Sequence, residues 1–172
     1  MTRYKVKIIF QMLLLGVFFS TQCWAKNTKQ NSTYPFEHNI IKTNSHLKSG
    51  QAFLSRYKKK RGVKTLSSGI AYKVLKKGKG KTSPKRYQRV TTHYQGKLIN
   101  NTVFDSSYVR QKPIQFDLTN VISGWSEVLQ YMVVGDKWEV VIPSHLAYGQ
   151  RPVGPIPANS TLIFIIELLE ID

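Results

Sequence analysis

Five short phrases between residues 93 and 164 combine aromatic side chains with very few polar groups. They occupy residues 93–96, 103–107, 121–125, 147–149 and 161–164, and they contain Tyr94, Phe104, Trp125, Tyr148 and Phe164. Asp105 is the one carboxylate within these phrases. Aromatic walls with so few charges suit an apolar, uncharged guest. The phrases therefore predict a hydrophobic pocket that contains few acids or bases.

Each of these residues also has a purely structural interpretation. Trp125, Phe164 and Tyr94, taken singly, are more often core residues, since buried aromatics are common on strands. Asp105 stands before two serines and could start a turn, and Tyr148 could be a packing residue. The combination and order of the five phrases favour a functional site over these single interpretations.

The first 25 residues are typical of an export signal. Arg3, Lys5 and Lys7 precede an apolar run over residues 8–19. That run is about a dozen residues, whereas a bilayer-spanning helix needs roughly 20. We expect a signal peptide over residues 1–25 that is cleaved after Ala25. The alternatives are an uncleaved anchor and, less favoured by the bulky Gln22, a lipoprotein modified at Cys23.

Export would place the protein in the periplasm or cell envelope of a Gram-negative bacterium, or outside the cell. Cys23 is the only cysteine, so a chain that begins at Lys26 would have no disulfide and no thiol chemistry. The four histidines, at positions 38, 46, 93 and 145, lack metal-ligand spacing. We therefore expect no metal and no cofactor.

The chain is strongly basic, with 26 Lys and Arg, 9 Asp and Glu and a formal net charge of +17. Removing Arg3, Lys5 and Lys7 would leave +14. The cations concentrate at residues 58–61 and 76–89, but no nucleic-acid motif accompanies them. A solvated basic surface is the favoured interpretation, and attraction to an anionic envelope surface stays open. We expect no nucleic-acid partner.

The segment before the globular domain is predicted to be a polar tail and a short helix. Residues 26–43 are polar and poorly periodic, which favours a tail. Leu47, Leu54 and Tyr57 lie near helical spacing and predict a helix from Ser45 to about Lys60. Its narrow apolar stripe favours packing on its own domain, so we expect a monomer. The predicted organisation is residues 1–25 signal peptide, 26–61 tail and helix, and 62–172 globular domain.

The remaining residues alternate between turns and strands of period two. The run at residues 162–168 is apolar on both faces and predicts a central strand. One short helix is expected at residues 124–131, with Ser123 as its N-cap. Many strands and one short helix predict an α+β domain, a twisted antiparallel sheet wrapped over that helix.

The five phrases resemble, in order and spacing, the FK506-binding-protein (FKBP) family of peptidyl-prolyl cis/trans isomerases, over roughly residues 62–172. Residues 50–60 and 69–74 are similar to the segment before the catalytic domain in its macrophage infectivity potentiator (Mip) branch. The resemblance implies the FKBP topology and isomerisation of X-Pro bonds in exported proteins. Two alternatives are an FKBP-fold chaperone or binding module with incidental isomerase activity, and an anion-binding protein.

The resemblance also implies roles for particular residues. The catalytic set would be Asp105, Tyr148, Tyr94 and Phe164, and the substrate-binding set would be Phe104, Val121, Ile122, Trp125, Ile156, Arg110 and Phe116. Trp125 would form the floor under a proline ring, with aromatic walls and an aliphatic rim. The Ile122 N–H and the Tyr148 hydroxyl would bond substrate carbonyls, while Asp105, paired with Arg110, would lie beside the rotating amide. Implied partners are proline-containing polypeptides and the macrolides FK506 and rapamycin.

Overall fold

The structure is a computed structural model that describes residues 35–172, with side chains from residue 43 onward. The expected signal peptide, its cleavage site and Cys23 lie outside the described residues. Over the described part of the chain, no helix is long and apolar enough to cross a bilayer.

A single antiparallel sheet of seven strands forms the body of the domain. The strands are β1 (Val63–Thr65), β2 (Ala71–Lys76), β3 (Arg89–Leu98), β4 (Val103–Ser106), β5 (Ile114–Asp117), β6 (Lys137–Ile142) and β7 (Leu162–Ile171). Their spatial order is β1-β2-β6-β7-β3-β4, and β5 pairs with the first half of β3. The predicted α+β class is confirmed.

Strand β7 lies between β6 and β3, which confirms the predicted central strand. Successive side chains of a strand point to opposite faces of the sheet. Phe164 and Ile166 join the main core on one face, and Ile163 joins a second cluster on the other face. Strand β7 is apolar on both faces because each face packs against one of these two clusters.

The covering helix on the second face, α1 (Pro35–Lys58), is longer than the sequence analysis predicted. It begins ten residues before Ser45, so the prediction of a tail was wrong for residues 35–43, while residues 26–34 lie outside the described residues. Proline is favoured in the first turn of a helix, where its missing N–H has no intrahelical partner anyway. Phe36 and Ile40 are also four residues apart in the sequence, which is a helical spacing.

The C-terminal half of α1 docks on the sheet. Leu54 and Tyr57 are buried together with Ile163 and other sheet residues. The Tyr57 hydroxyl donates to Glu139 Oε1 at 2.8 Å. Burial, and then the Glu139 carboxylate, raise the pKa of Tyr57, so this hydroxyl remains a donor at neutral pH. The helix is thus fixed to its own domain.

The second helix, α2 (Ser123–Leu129), covers the other face of the sheet. Ile122 rather than Ser123 occupies the N-cap, and no side chain caps the helix, so that prediction was wrong. The Ile122 carbonyl accepts from the N–H groups of Trp125 and Ser126 at 3.0 and 3.1 Å, which puts Ser123 inside the first turn. A Cβ on Gly124 would lie 2.5 Å from Ile142 Cγ2, so glycine permits the close approach of α2 to β6.

Candidate active site

Trp125 lies at the centre of an aromatic cluster built by α2 and the facing strands. Its ring meets those of Tyr94, Phe116 and Phe164 edge-on, with centroids 5.1, 5.5 and 5.3 Å away. The interplanar angles are 88°, 78° and 83°. Edge-to-face contacts suit the ring quadrupoles and fix the orientation of the indole. Four residues that the sequence analysis assigned to the site are thereby brought together.

Phe104 on β4 extends this cluster towards solvent. Its ring meets Phe164 edge-on at 5.7 Å. Gly96 of β3 makes room for both rings, because a Cβ at that position would lie 2.5 Å from Phe104 Cζ and 2.9 Å from Phe164 Cε1. Any larger residue would have to displace an aromatic wall.

Asp105, the neighbour of Phe104, joins a charged group at the edge of the cluster. The Tyr94 hydroxyl donates to Asp105 Oδ2, and Arg110 Nη1 donates to Asp105 Oδ1. Arg110 Nη2 also donates to the hydroxyl oxygen of Tyr94 at 3.1 Å. The Asp105 side chain is 9% exposed and that of Arg110 is 45% exposed. The carboxylate is therefore held by two donors but lies next to solvent.

The two tyrosines beside this carboxylate are held in their protonated forms. Burial, and then the hydrogen bond to Asp105, raise the pKa of Tyr94. Burial, and then the charge of Asp105, raise the pKa of Tyr148. Both hydroxyls are consequently hydrogen-bond donors throughout the neutral range.

Tyr148 and Ile122 carry polar groups that the described part of the chain leaves without a hydrogen-bond partner. Over residues 43–172, the Tyr148 hydroxyl makes no hydrogen bond, and the Ile122 N–H donates to no acceptor. Tyr148 is half-buried and follows a 3-10 turn at Ser144–Leu146. This hydroxyl and this main-chain N–H, which have no partner among the described residues, are available to bond a guest.

The aliphatic residues expected at the rim belong to the same hydrophobic core. Val121, Ile122 and Ile156 are 7%, 2% and 5% exposed. Ile156 is placed by a tight turn in which its N–H and carbonyl both bond Val153, at 2.9 Å each. These residues come from the loops before α2 and β7, so two separate chain segments close around the aromatic cluster.

Trp125 is buried more deeply than the floor of an open pocket would be. Trp125 and Phe164 are 0% exposed and Tyr94 is 1% exposed, whereas Phe104, Phe116 and Tyr148 are only partly buried. The solvent-facing part of the set is thus formed by Phe104, Phe116 and Tyr148, with Trp125 behind them. The Trp125 Nε1–H is buried, with no hydrogen-bond partner among the described residues.

Ser107 and His93 support the site, and the sequence analysis did not assign them to it. Ser107 Oγ lies 2.7 Å from the main-chain nitrogen of Tyr94, 3.1 Å from its carbonyl oxygen and 2.9 Å from His93 Nδ1. The His93 ring stacks on Tyr108 at 4.8 Å. Such contacts join residues distant in sequence and carry no motif, so only the resemblance of the whole phrase could have indicated them.

Other candidate ligands are not assembled into a second site. Among the described side chains, no group of three His, Cys, Asp or Glu residues could hold a metal ion. A separate cleft of about 230 Å³ lies beside α1 and includes His46, Leu98 and Pro157 in its lining. It contains none of the residues expected to bind or turn over a substrate.

Comparison with known proteins establishes the family. A model of the FKBP-type peptidyl-prolyl cis-trans isomerases matches residues 80–169, more than half of the chain. A model of the domain amino-terminal to FKBP-type isomerases matches residues 22–74. The chain therefore belongs to the FKBP-type peptidyl-prolyl cis-trans isomerase family, and the resemblance found in the sequence is confirmed.

Individual relatives agree with this assignment. The chain is 50% identical over 123 residues to the FKBP-type 22 kDa peptidyl-prolyl cis-trans isomerase of Escherichia coli, covering 71% of this chain and 59% of that protein. It is 48% identical over 123 residues to the outer membrane protein MIP of Legionella longbeachae, covering 71% and 52%. Both relatives are longer, and the chain spans between about half and three fifths of their length.

A solved structure confirms the topology as well. The crystal structure of FkpA from Escherichia coli superposes with a TM-score of 0.76 at 39% identity, covering 80% of this chain and 64% of that one. The FKBP-like sheet and a preceding helix are therefore shared. Mip proteins are among the relatives, as the sequence analysis expected.

Proposed function

We propose that this protein catalyses cis/trans isomerisation of X-Pro peptide bonds in exported polypeptides. The observation that carries the proposal is the cluster around Trp125, three aromatic rings packed edge-on against one indole, with a single ion-paired carboxylate at its border. Such a cluster suits a proline ring, because that ring is apolar and uncharged. Membership in the FKBP-type family supports the same activity.

The chemistry required is modest. Rotation about a peptide bond faces a barrier of about 18–20 kcal/mol from lost amide resonance, and X-Pro bonds isomerise unaided in tens to hundreds of seconds. No covalent bond is made or broken, so neither a nucleophile nor a metal is needed. A catalyst has only to bind the twisted amide better than the planar one. Apolar surroundings favour the twisted form, which is less charge-separated than the planar form.

The residues then take the following roles. The proline ring enters past Phe104, Phe116 and Tyr148 and reaches Trp125 once the rim side chains shift. The Tyr148 hydroxyl and the Ile122 N–H bond carbonyl groups on either side of the ring. Neither of these two donors has a hydrogen-bond partner within residues 43–172. Substrate is thereby held while one amide remains free to rotate.

Asp105 lies beside the amide that rotates. Its carboxylate is fixed by the Tyr94 hydroxyl and by Arg110, so its position is set before substrate arrives. The negative charge interacts with the amide carbonyl carbon as the resonance is lost. Preorganised charge of this kind favours the transition state without further reorganisation.

The proposed place of work is the bacterial envelope. The basic and apolar pattern of residues 1–19 supports export, and one relative is called an outer membrane protein. Mass spectrometry of protein exported by a Gram-negative host should find a chain that starts at Lys26. Retention of residues 1–25 in the envelope fraction would instead support an anchor.

A protease-coupled assay with prolyl tetrapeptides tests the activity. We expect cis-to-trans conversion above the uncatalysed rate. We also propose that the macrolides FK506 and rapamycin bind the site and inhibit this conversion. A rate equal to the uncatalysed control would contradict the proposal. Refolding assistance without any tetrapeptide activity would favour the alternative, an FKBP-fold chaperone or binding module.

A further inference from the structure

One stretch of the chain has an exceptional charge. Residues 56–89 contain 14 Lys and Arg and no Asp or Glu, which is more than half of the 26 basic residues of the protein. We call this set the basic belt. Its members are Arg56, Lys58, Lys59, Lys60, Arg61, Lys64, Lys73, Lys76, Lys77, Lys79, Lys81, Lys85, Arg86 and Arg89.

The fold gathers the first part of the basic belt, residues 56–77, at one side of the sheet, whereas Arg89 lies on β3, beyond β6 and β7. The belt begins in the last turn of α1 and runs through β1 and β2, the two strands at that edge. A Cβ on Gly69, in the turn between these strands, would lie 3.9 Å from Lys58 Nζ, and a Cβ on Gly62 would lie 3.7 Å from Lys73 Cε. Cations from the helix and from the sheet edge therefore share one surface.

Few carboxylates within residues 43–172 neutralise this surface. Over residues 43–172, the belt makes two ion pairs, Lys76 with Glu167 at 3.7 Å and Arg89 with Asp117 at 2.8 Å. Glu167 is shared with Lys137, which lies nearer at 3.2 Å. Twelve of the 14 belt cations have no carboxylate partner in this part of the chain. So many like charges held together repel one another unless an anionic partner is present.

Apolar side chains are exposed among these cations. Val74 and Leu75 on β2 are 37% and 48% exposed, and Tyr87 is 74% exposed. Val74 to Lys76 have no neighbouring strand on the outer side, because β1 pairs with residues 71–73 alone. An edge strand that combines lysines with exposed aliphatic side chains suits a bilayer interface, which offers anionic headgroups above an apolar layer.

The part of the belt on α1, β1 and β2 is also set apart from the aromatic site, whereas Arg89 on β3 pairs with Asp117, the neighbour of Phe116. Ala71 packs under α1, and Lys73, two residues further along β2, lies on that same face of the sheet. The Trp125 cluster lies on the opposite face, with Phe164 and Val140. A partner bound to the belt on the α1 side would leave the aromatic site open.

We propose that the basic belt docks the protein on membranes that carry anionic, phosphate-bearing lipid headgroups. The cations of α1, β1 and β2 bind the phosphates, and Leu75 enters the interface between them. The aromatic site on the other face of the sheet then points away from the membrane. The proposal concerns attachment and does not depend on isomerase activity.

Vesicle sedimentation with the full chain tests it. One set of vesicles contains equal parts of phosphatidylcholine and phosphatidylglycerol, and the other contains phosphatidylcholine alone. We compare the belt variant Lys59→Gln/Lys73→Gln/Lys77→Gln with the control Lys48→Gln/Lys97→Gln/Lys112→Gln. Both lose three charges and keep residues 1–34, so the net charge and any effect of that segment are matched. Unfolding midpoints check the fold of each variant.

We expect the wild type and the control to bind the anionic vesicles. The belt variant should bind them at least about tenfold more weakly, because each lysine near such a surface raises the binding constant by about fivefold. Raising the salt to about 1 M, where the Debye length is about 3 Å, should release the wild type. Equal losses in both variants, or equal binding to neutral vesicles, would overturn the proposal. Displacement by random-sequence DNA at equal phosphate would also overturn it and assign the belt to nucleic acid.

Discussion

The Ser107 hydroxyl bonds both polar main-chain groups of Tyr94. The Tyr94 N–H donates to Ser107 Oγ at 2.7 Å, and Ser107 Oγ donates to the Tyr94 carbonyl at 3.1 Å. The Ser107 N–H also donates to that carbonyl at 2.9 Å. This arrangement fastens the turn after β4 to the middle of β3. Because Asp105 and Arg110 flank that turn, the same contacts fix the ion pair at the border of the aromatic cluster.

Ser107→Ala should therefore destabilise the fold. Ser107 is 0% exposed, and its loss leaves the buried Tyr94 N–H without a partner, at a cost of about 1–3 kcal/mol. Chemical denaturation measures this change. Ser67→Ala, which alters an exposed serine in the turn after β1, should cost less than about 0.5 kcal/mol. Equal effects of the two substitutions would mean that the Ser107 contacts contribute little.

Asp105→Leu and Tyr148→Phe should both lower isomerase turnover, but for different reasons. Asp105→Leu removes the acceptor of the Tyr94 hydroxyl and the ion-pair partner of Arg110. It should therefore also lower the free energy of unfolding by about 1–3 kcal/mol. Tyr148→Phe removes a hydroxyl that has no hydrogen bond within residues 43–172, so stability should change by less than about 0.5 kcal/mol. Its turnover should fall about two- to tenfold, the worth of one hydrogen bond.

The two measurements are made on the same preparations, turnover by the coupled assay and stability by urea unfolding. Full activity of both variants would contradict the roles given to Asp105 and Tyr148. A large loss of stability in Tyr148→Phe would show that its hydroxyl is structural.

Trp125→Ala should damage the fold more than either of these changes. The indole is fully buried and contacts three aromatic rings, and removing so large a core side chain typically costs 3–5 kcal/mol. Trp125→Phe, which keeps an aromatic ring, should restore part of that stability. Turnover is compared at a temperature where both variants are folded. A stability loss below about 1 kcal/mol in Trp125→Ala would contradict the central position of this ring.

Local patterns were sufficient to predict most of the fold. Period-two alternation predicted the strands around Tyr94 and Val140. The run at residues 162–168, which is apolar on both faces, predicted that β7 is a central strand. The predictions failed where a backbone detail decided the outcome. Ser123 has good capping chemistry, yet the extended Ile122 takes the N-cap position. Helix α1 starts at Pro35, a residue type favoured at the first helical position, despite the polar composition that follows.

The candidate site also contains residues that the sequence predicted and contacts that it did not. The aromatic members were predictable because the resemblance preserves their order, and the structure brings Tyr94, Phe116, Trp125 and Phe164 together. The supporting contact of Ser107 was not predictable, since a buried serine differs from a turn serine only through its partners in space. Burial of Trp125 behind the partly exposed rings likewise depends on packing that no local pattern encodes.

Acid should weaken the contribution of Glu167 to stability. Glu167 Oε2 accepts from Lys137 Nζ at 3.2 Å and from the Tyr108 hydroxyl at 3.1 Å. Burial opposes ionisation, but these two donors outweigh it and lower the pKa of Glu167 from its usual 4.5. A carboxylate with a lowered folded-state pKa stabilises the fold above its unfolded pKa and loses that contribution as pH falls through the folded value.

Glu167→Gln should thus cost about 1.5–3 kcal/mol near pH 7, the range for hydrogen bonds to a charged group. The difference from the wild type should shrink as the pH falls below 4.5. Urea unfolding at several pH values measures it, and Glu170→Gln, an exposed carboxylate on the same strand, is the control. A difference that stays constant down to about pH 2 would show that packing rather than charge explains the effect.

Sedimentation equilibrium at micromolar concentration should give the mass of a monomer. Two of the three apolar residues that the sequence analysis placed on the helix stripe, Leu54 and Tyr57, are buried against the protein's own sheet, at 9% and 3% exposure. The Tyr57–Glu139 hydrogen bond holds that docking in place. These side chains cannot pair with a second copy without leaving their own domain. The cationic end of α1 also disfavours association with an identical helix.

A dimer mass would contradict this expectation and would point to an interface on the earlier turns of α1. Leu47 is the member of the stripe that is not fully buried, so Leu47→Lys is the decisive variant. If a wild-type dimer dissociated in Leu47→Lys, with its unfolding midpoint unchanged, α1 would be the interface. Leu54→Lys serves as the contrast. In a monomer it should lower the free energy of unfolding by about 2–5 kcal/mol through the lost core contact, whereas the exposed Lys48→Gln should leave it within about 0.5 kcal/mol.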